Sequence, residues 1–464
     1  MGSPTVGDMN PQGERWTAER VLELAPDAAS RTAGAKLAVP GPWSGAGAHT
    51  GAGTGAVWGE CAGSGGRPYR TVVDLAGPGF HCSCPSRKFP CKHALGLLLS
   101  WSKGPEAVPE GAPPDWAAQW LGERREREAA GSGAAAASGP SRGPADPEAA
   151  RRRAERRARR IAAGASELER RLADLLRSGL ASADAASYGR WEETAARMVD
   201  AQAPGLAARV RELASVAGSG SGARETSRLL EECALLHTLG QGFLRLAELP
   251  EPLAATVRAR VGVTPDTATL LASTPLVRDR WLVLAQRDAD DGRLVTRRVW
   301  LRGRETGRMA LLLSYGAAGR APELSLPVGL ALDAELAFHP SARPLRAALG
   351  TRHAAPAPVA DPPPGGDPEE ALRAYGEALC DDPWLEGWPV VLSGVVPVPG
   401  QGGGDWQLAD ADGRSALPVT PGGDESALWR LTAISGGRPV RVFGECGHRG
   451  FTPLLAWAPE PVAL

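Results

Sequence analysis

Residues 80–101 read FHCSCPSRKFPCKHALGLLLSW. Three cysteines and a histidine fall inside this stretch, Cys82, Cys84, Cys91 and His93, in the spacing C-x-C-x6-C-x-H. Three thiolates and one imidazole complete a tetrahedral set for Zn²⁺ and leave no open position for a reacting water, so the composition argues for a structural ion over a catalytic one. Pro85 and Ser86 suit a turn. Pro90 precedes Cys91, Lys92 and His93, and the apolar run Leu95, Leu97, Leu98, Leu99 and Trp101 then reads as a helix. Cys91 thus falls near a helix N-terminus, where the backbone dipole favours a thiolate. One ion would tie a turn to a helix start. A disulfide between Cys82 and Cys84 would close a strained ring.

Two neighbours compete for a place in this set. Cys61 is better placed as a buried thiol on a strand, and His81 would need a second tight turn to reach the ion, so it reads as a solvated neighbour. Arg67, Arg70, Arg87, Lys88 and Lys92 crowd the same region. They can meet phosphate or a partner surface, or they can offset the negative charge of three thiolates around Zn²⁺. Charge alone does not separate these readings.

The spacing C-x-C, a variable gap, then C-x-H resembles the SWIM zinc fingers. The segments LAPDAASRTAGAKLA (24–38) and VWGECAGSGGRPYRTVVDL (57–75), with the finger itself, resemble the bacterial members that stand without a transposase or helicase. This covers about the first quarter of the chain closely. The resemblance implies a zinc-binding module for DNA or protein contacts. It also implies an adaptor role, because bacterial proteins of this kind tend to be encoded with MoxR-type AAA ATPases and proteins carrying a von Willebrand factor A domain.

At 464 residues, with 43% hydrophobic and 23% charged, the chain has material for several cores. A net charge of −1 gives no global pull toward nucleic acid or an anionic membrane. The first residues contain no apolar signal region, and no apolar run is long enough to span a bilayer. Seven cysteines, of which three are in the proposed site, fit reduced thiols better than a disulfide framework. The expectation is a cytoplasmic protein.

The fold class expected is α+β and multidomain. A zinc-stabilised module over 1–125 contains a short helix from Trp16 to Leu24 capped by Thr17, a Gly-rich loop over 41–55, and a hairpin from Val57, Trp58 and Tyr69 to Leu75. Residues 126–165 read as a flexible linker that ends in RRRAERRARR (151–160). That basic run lacks aromatic residues for stacking, so a solvated helical lead-in is the plainer reading.

A helical bundle follows over 166–263, opened by a capping-box signal at Ser166 and Glu169. Leu168, Leu172, Leu175 and Leu176 begin a series of apolar stripes at helical spacing, which suits four or five antiparallel helices. Cys233 and His237 lie one turn apart there and read as core residues.

The region 264–354 reads as an antiparallel meander from Trp281 to Tyr315, continued by 326–338, and 355–370 as a Pro-rich linker. Over 371–464, a short helix precedes strands at 388–398, 406–409, 416–419, 428–434, 440–443 and 454–457. Their spacing suits a small barrel of OB or SH3 type. Trp384, Trp388, Trp406, Trp429 and Trp457 would serve its core or stack on bases. Cys446 and His448 repeat a C-x-H, without the second cysteine pair that a zinc site needs.

No G-x-x-x-x-G-K-[ST] or H-E-x-x-H sequence occurs, and no G-x-S-x-G stands between a strand and a helix as a nucleophile elbow does. The expected function is therefore a non-enzymatic zinc protein that makes protein contacts as an adaptor. The alternative is a DNA- or RNA-binding protein that uses the basic finger surface.

Overall fold

The computed structural model describes residues 15–25, 28–49, 55–63, 67–75, 79–84, 86, 90–131, 147–180, 188–217, 223–290, 294–317, 322, 324–359, 361–400, 405–420 and 425–464. The first module contains α1 (Ala18–Glu23), α2 (Ala28–Leu37), β1 (Trp43–His49), β2 (Ala56–Cys61), β3 (Tyr69–Asp74), β4 (Gly79–Cys82), α3 (Lys92–Ser102) and α4 (Asp115–Gly131). Thr17 caps α1 by accepting from the Arg20 amide, as the sequence suggests. The four strands pair antiparallel in chain order.

The expected loop over 41–55 is corrected in its first half, because residues 43–49 form β1. Glycine serves close approach here, not looseness. Gly47 lies opposite Trp58 in the ladder, and a Cβ on Gly47 would sit 2.8 Å from the Trp58 ring.

Helix α3 is buried from His93 through Trp101, which marks it as the central element of the module. Trp16, Val21, Val57, Val73, Leu95 and Leu98 share its core with Cys82 and Cys91, and Leu330 from the β-rich half closes that core.

The bundle comprises α5 (Pro147–Ser178), α6 (Tyr188–Asp200), α7 (Pro204–Ala217), α8 (Ala223–Leu244) and α9 (Glu251–Val261). The expected linker over 126–165 is therefore corrected at both ends. α4 extends to Gly131 and α5 begins at Pro147, while 132–146 lie outside the described residues. Ala, Arg and Glu are strong helix formers, and Arg151–Glu155 and Arg152–Glu148 pairs one turn apart support the early start.

Ser166 does not cap a helix. It sits in mid-helix, where its hydroxyl donates back to the Ala162 carbonyl at 2.9 Å. His237 is likewise corrected: it is exposed and paired with Glu169, whereas Cys233 is buried. Gly262, at φ 103°, ends α9 in the left-handed conformation that glycine adopts without strain.

The β-rich half begins with α10 (Thr267–Ser273), β5 (Leu276–Asp290), β6 (Leu294–Gly303), β7 (Met309–Ala317), β8 (Leu330–Phe338), β9 (Arg346–Arg352) and β10 (Ala357–Pro358). β5, β6 and β7 form the expected meander. Its continuation is corrected: β8 returns to pair with β5, and β9 pairs antiparallel with β8 and parallel with β7. The pairings thus run around β5, β6, β7, β9 and β8 and back to β5. Residues 355–370 do not form a free linker, since β10 joins β8 and Asp367 caps the next helix.

The chain ends with α11 (Pro368–Asp381), β11 (Trp388–Val398), β12 (Gln407–Asp410), β13 (Ala416–Pro418), α12 (Glu425–Ser435), β14 (Val440–Gly447), β15 (Gly450–Trp457) and β16 (Pro461–Ala463). Their sheet has the order β13-β12-β11-β14-β15-β16. The strand expected over 428–434 is a helix, α12, because Ala427, Leu428 and Leu431 recur at helical spacing and bury one face. Leu282, Leu284, Trp300 and Leu311 of the first sheet pack on Val391, Phe443, Leu454 and Leu455 of the second. Trp384 leaves this half altogether and enters the bundle core.

Candidate metal centre

Cys82 is the last residue of β4, Cys84 lies in the turn after it, Cys91 is the N-cap of α3 and His93 lies in the first turn of α3. The β4 end, turn and helix start therefore deliver all four side chains to one point. The three sulfurs and a ring nitrogen of His93 lie within 4.8 Å of one another. Cys82 Sγ is 3.7 Å and Cys91 Sγ 4.0 Å from His93 Nδ1. Zn–S bonds of about 2.3 Å place tetrahedral ligands about 3.8 Å apart, so the four donors fit one ion, with Nδ1 as the imidazole donor.

Burial isolates the site. Cys82, Cys91 and His93 are buried and Cys84 is half-buried. Hydrogen bonding from Cys91, followed by His93 and Thr71, stabilises the Cys82 thiolate and pulls its pKa down to about 3, against the opposing effect of burial. Burial pushes the Cys84 thiol up. A cation would compensate the cost of holding further thiolates here.

Two supporting side chains carry no signal in the sequence. Thr71, opposite Cys82 in the β3–β4 ladder, places its hydroxyl 3.2 Å from the Cys82 sulfur. The Tyr69 ring lies 5.0 Å from that of His93 and limits the imidazole's orientation. Both contacts arise from strand register, which a ligand motif does not encode.

The competing donors stay out. Cys61 is buried at the end of β2, outside the four-residue cluster. His81 is exposed and stacks on Trp120, with ring centroids 5.7 Å apart.

Cys446 is buried in the core of the C-terminal sheet, while His448 is exposed and faces the Tyr375 hydroxyl. Of the basic residues, Arg67, Arg70 and Lys92 are exposed. Arg70 is bound to Glu60 at 3.1 Å and lies over the Trp116 ring. Arg87 and Lys88 lie outside the described residues.

A strand end and a helix start that bring four donors to one point define a zinc-finger class of module. Comparison with known families gives its type: residues 72–102 match the SWIM zinc finger, and residues 156–261 match the SWIM-associated four-helix bundle domain. The chain thus carries a SWIM zinc finger followed by its associated bundle. No curated protein and no solved structure matches the chain. Among the described residues, no helix is long and apolar enough to cross a membrane.

Proposed function

We propose that the chain is a non-enzymatic interaction protein in which one structural zinc ion holds the finger together and the surrounding surfaces recruit a protein partner. The observation that supports this most directly is the closed donor set. With Cys82, Cys84, Cys91 and His93 all inward, a bound zinc has no position for substrate or water. The ion acts by joining β4 to α3, whose buried leucines organise the module.

The adaptor role, with a MoxR-type AAA ATPase and a von Willebrand factor A protein as partner class, follows from the resemblance. A second reading, nucleic-acid binding, is favoured by the run 151–160 on α5, where seven arginines lie and most of the helix surface is exposed. Capture of the tagged protein from its own host, with and without nuclease, separates the two. A nuclease-resistant protein partner that is lost with Cys91→Ala supports the adaptor. Nucleic acid in the eluate, with all binding lost to nuclease, overturns it.

We further propose that residues 388–457 form a small barrel of OB type. A bridge between Val419 and Phe451 brings the end of β13 beside β15 in parallel, the relation in which β7 meets β9. Both sets of five strands then share one ring order, first-second-third-fifth-fourth.

A further inference from the structure

The bundle and the two β-rich units meet at a cleft of about 520 Å³. Its walls come from α9, the β6–β7 face, the β8–β9 connection, the segment after α11 and the β14–β15 turn. Pockets at such junctions are common ligand sites, and this volume suits a small molecule. The β8–β9 and β14–β15 connections occupy equivalent places in the two strand rings, and in OB-type barrels that connection borders the ligand face.

The lining carries more basic than acidic groups. Arg260, Arg298, Arg343, Arg346 and Arg449 outnumber the carboxylates Asp382, Glu386 and Glu445. Arg260 is held by Asp382 at 2.6 Å and Arg298 by Glu445 at 3.3 Å. Arg449 pairs with Glu232, and Arg343 with Glu377 and Asp381, carboxylates that do not line the cleft. Arg346 has no ion pair among the described residues, and it is only partly exposed.

The β14–β15 turn is fixed against the wall. A Cβ on Gly447 would lie 2.1 Å from the Glu386 carbonyl oxygen, and one on Gly450 2.6 Å from that of Pro418. Only glycine permits this approach, and the approach positions Arg449 between the two. His339 is buried, and its Nδ1 has no hydrogen-bond partner among the described residues. No Phe, Tyr or Trp lines the cleft, so it offers no platform for stacking a base. Guanidinium groups lining one cleft instead match the several oxygens of a phosphate.

We propose that this cleft binds a small phosphorylated compound through its phosphate, with Arg346 as the uncompensated anchor and Arg298, Arg343 and Arg449 beside it. The site is separate from the metal centre and does not depend on how the finger is used.

The test is calorimetric titration of the full zinc-loaded chain with pyrophosphate and with ribose 5-phosphate at constant ionic strength, using chloride as the reference anion. Saturable binding is expected, weakened at least tenfold by Arg346→Gln, a change that breaks no ion pair. Ser341→Glu, which places a carboxylate in the cleft, provides a second variant and should weaken binding as much. Arg430→Gln, remote from the cleft, should bind as the unaltered chain does. Absence of saturable binding for both probes, or unchanged affinity in whichever of the two cleft variants folds, overturns the proposal.

Discussion

The Cys82 sulfur lies 3.7 Å from Nδ1 of His93, eleven residues further along the chain, and this approach joins the end of a strand to the first turn of a helix. Metal affinity in such a unit is folding energy, on the order of 10 kcal/mol. Cys91→Ala should therefore abolish metal retention and expose α3, whose amides would exchange with solvent far faster than in the unaltered chain. The amides of α5 to α9, which have their own core, should stay protected. Retained protection of α3 in the variant would contradict this.

Trp384 is 5% exposed within the bundle core and donates its indole N–H to the Leu235 carbonyl at 2.9 Å. It is a side chain of the β-rich half seated among helices of another unit. Trp384→Ala should cost about 3–5 kcal/mol. It should also weaken the coupling between the units, so that denaturant unfolding separates into two transitions. A single unshifted transition would show that the contact does not join them.

Legibility in the sequence followed the range of the interactions. The metal centre was readable because its four donors lie within twelve residues and soft ligands at that spacing have few other uses. Strand β11 was readable at both ends, Trp388 and Val398, from local alternation and flanking turns. The return of β8 to β5 and the parallel contact of β9 with β7 were not readable, since both depend on pairing between distant segments. Gly47 misled because glycine signals a loop locally, whereas here it makes room for Trp58. Leu428 to Ile434 misled because an apolar run of that length suits strand and helix equally.

Capping provides a paired test. Asp367 accepts from the Glu370 amide at 2.8 Å, and the Glu370 side chain accepts from the Asp367 amide, which completes a capping box on α11. Asp367→Ala should cost about 1 kcal/mol. Ser166→Ala, in the interior of α5, should change stability by less than about 0.5 kcal/mol. Equal effects in chemical denaturation would return Ser166 to the role of a cap.

His339 predicts a pH dependence. Burial, with Arg346 nearby as a smaller cause, lowers its pKa from 6.5 to about 4. Above pH 6.5 the ring is neutral in folded and unfolded chains alike, and its titration contributes nothing. As pH falls from 6.5 toward 4, the unfolded chain takes up a proton that the folded chain refuses, so stability declines, by at most about 3 kcal/mol. The loss between those pH values should be smaller in His339→Gln. Parallel stability curves for the two proteins would show that His339 titrates normally.

The central claim is a closed Cys₃His zinc site, and the most direct measurement is metal analysis of the purified chain combined with X-ray absorption at the zinc edge. The predicted result is one zinc per chain bound by three sulfurs at about 2.3 Å and one nitrogen at about 2.0 Å, with α3 losing protection once the ion is chelated. A chain that stays folded and metal-free after full chelation, or a zinc with oxygen ligands in place of sulfur, would contradict it.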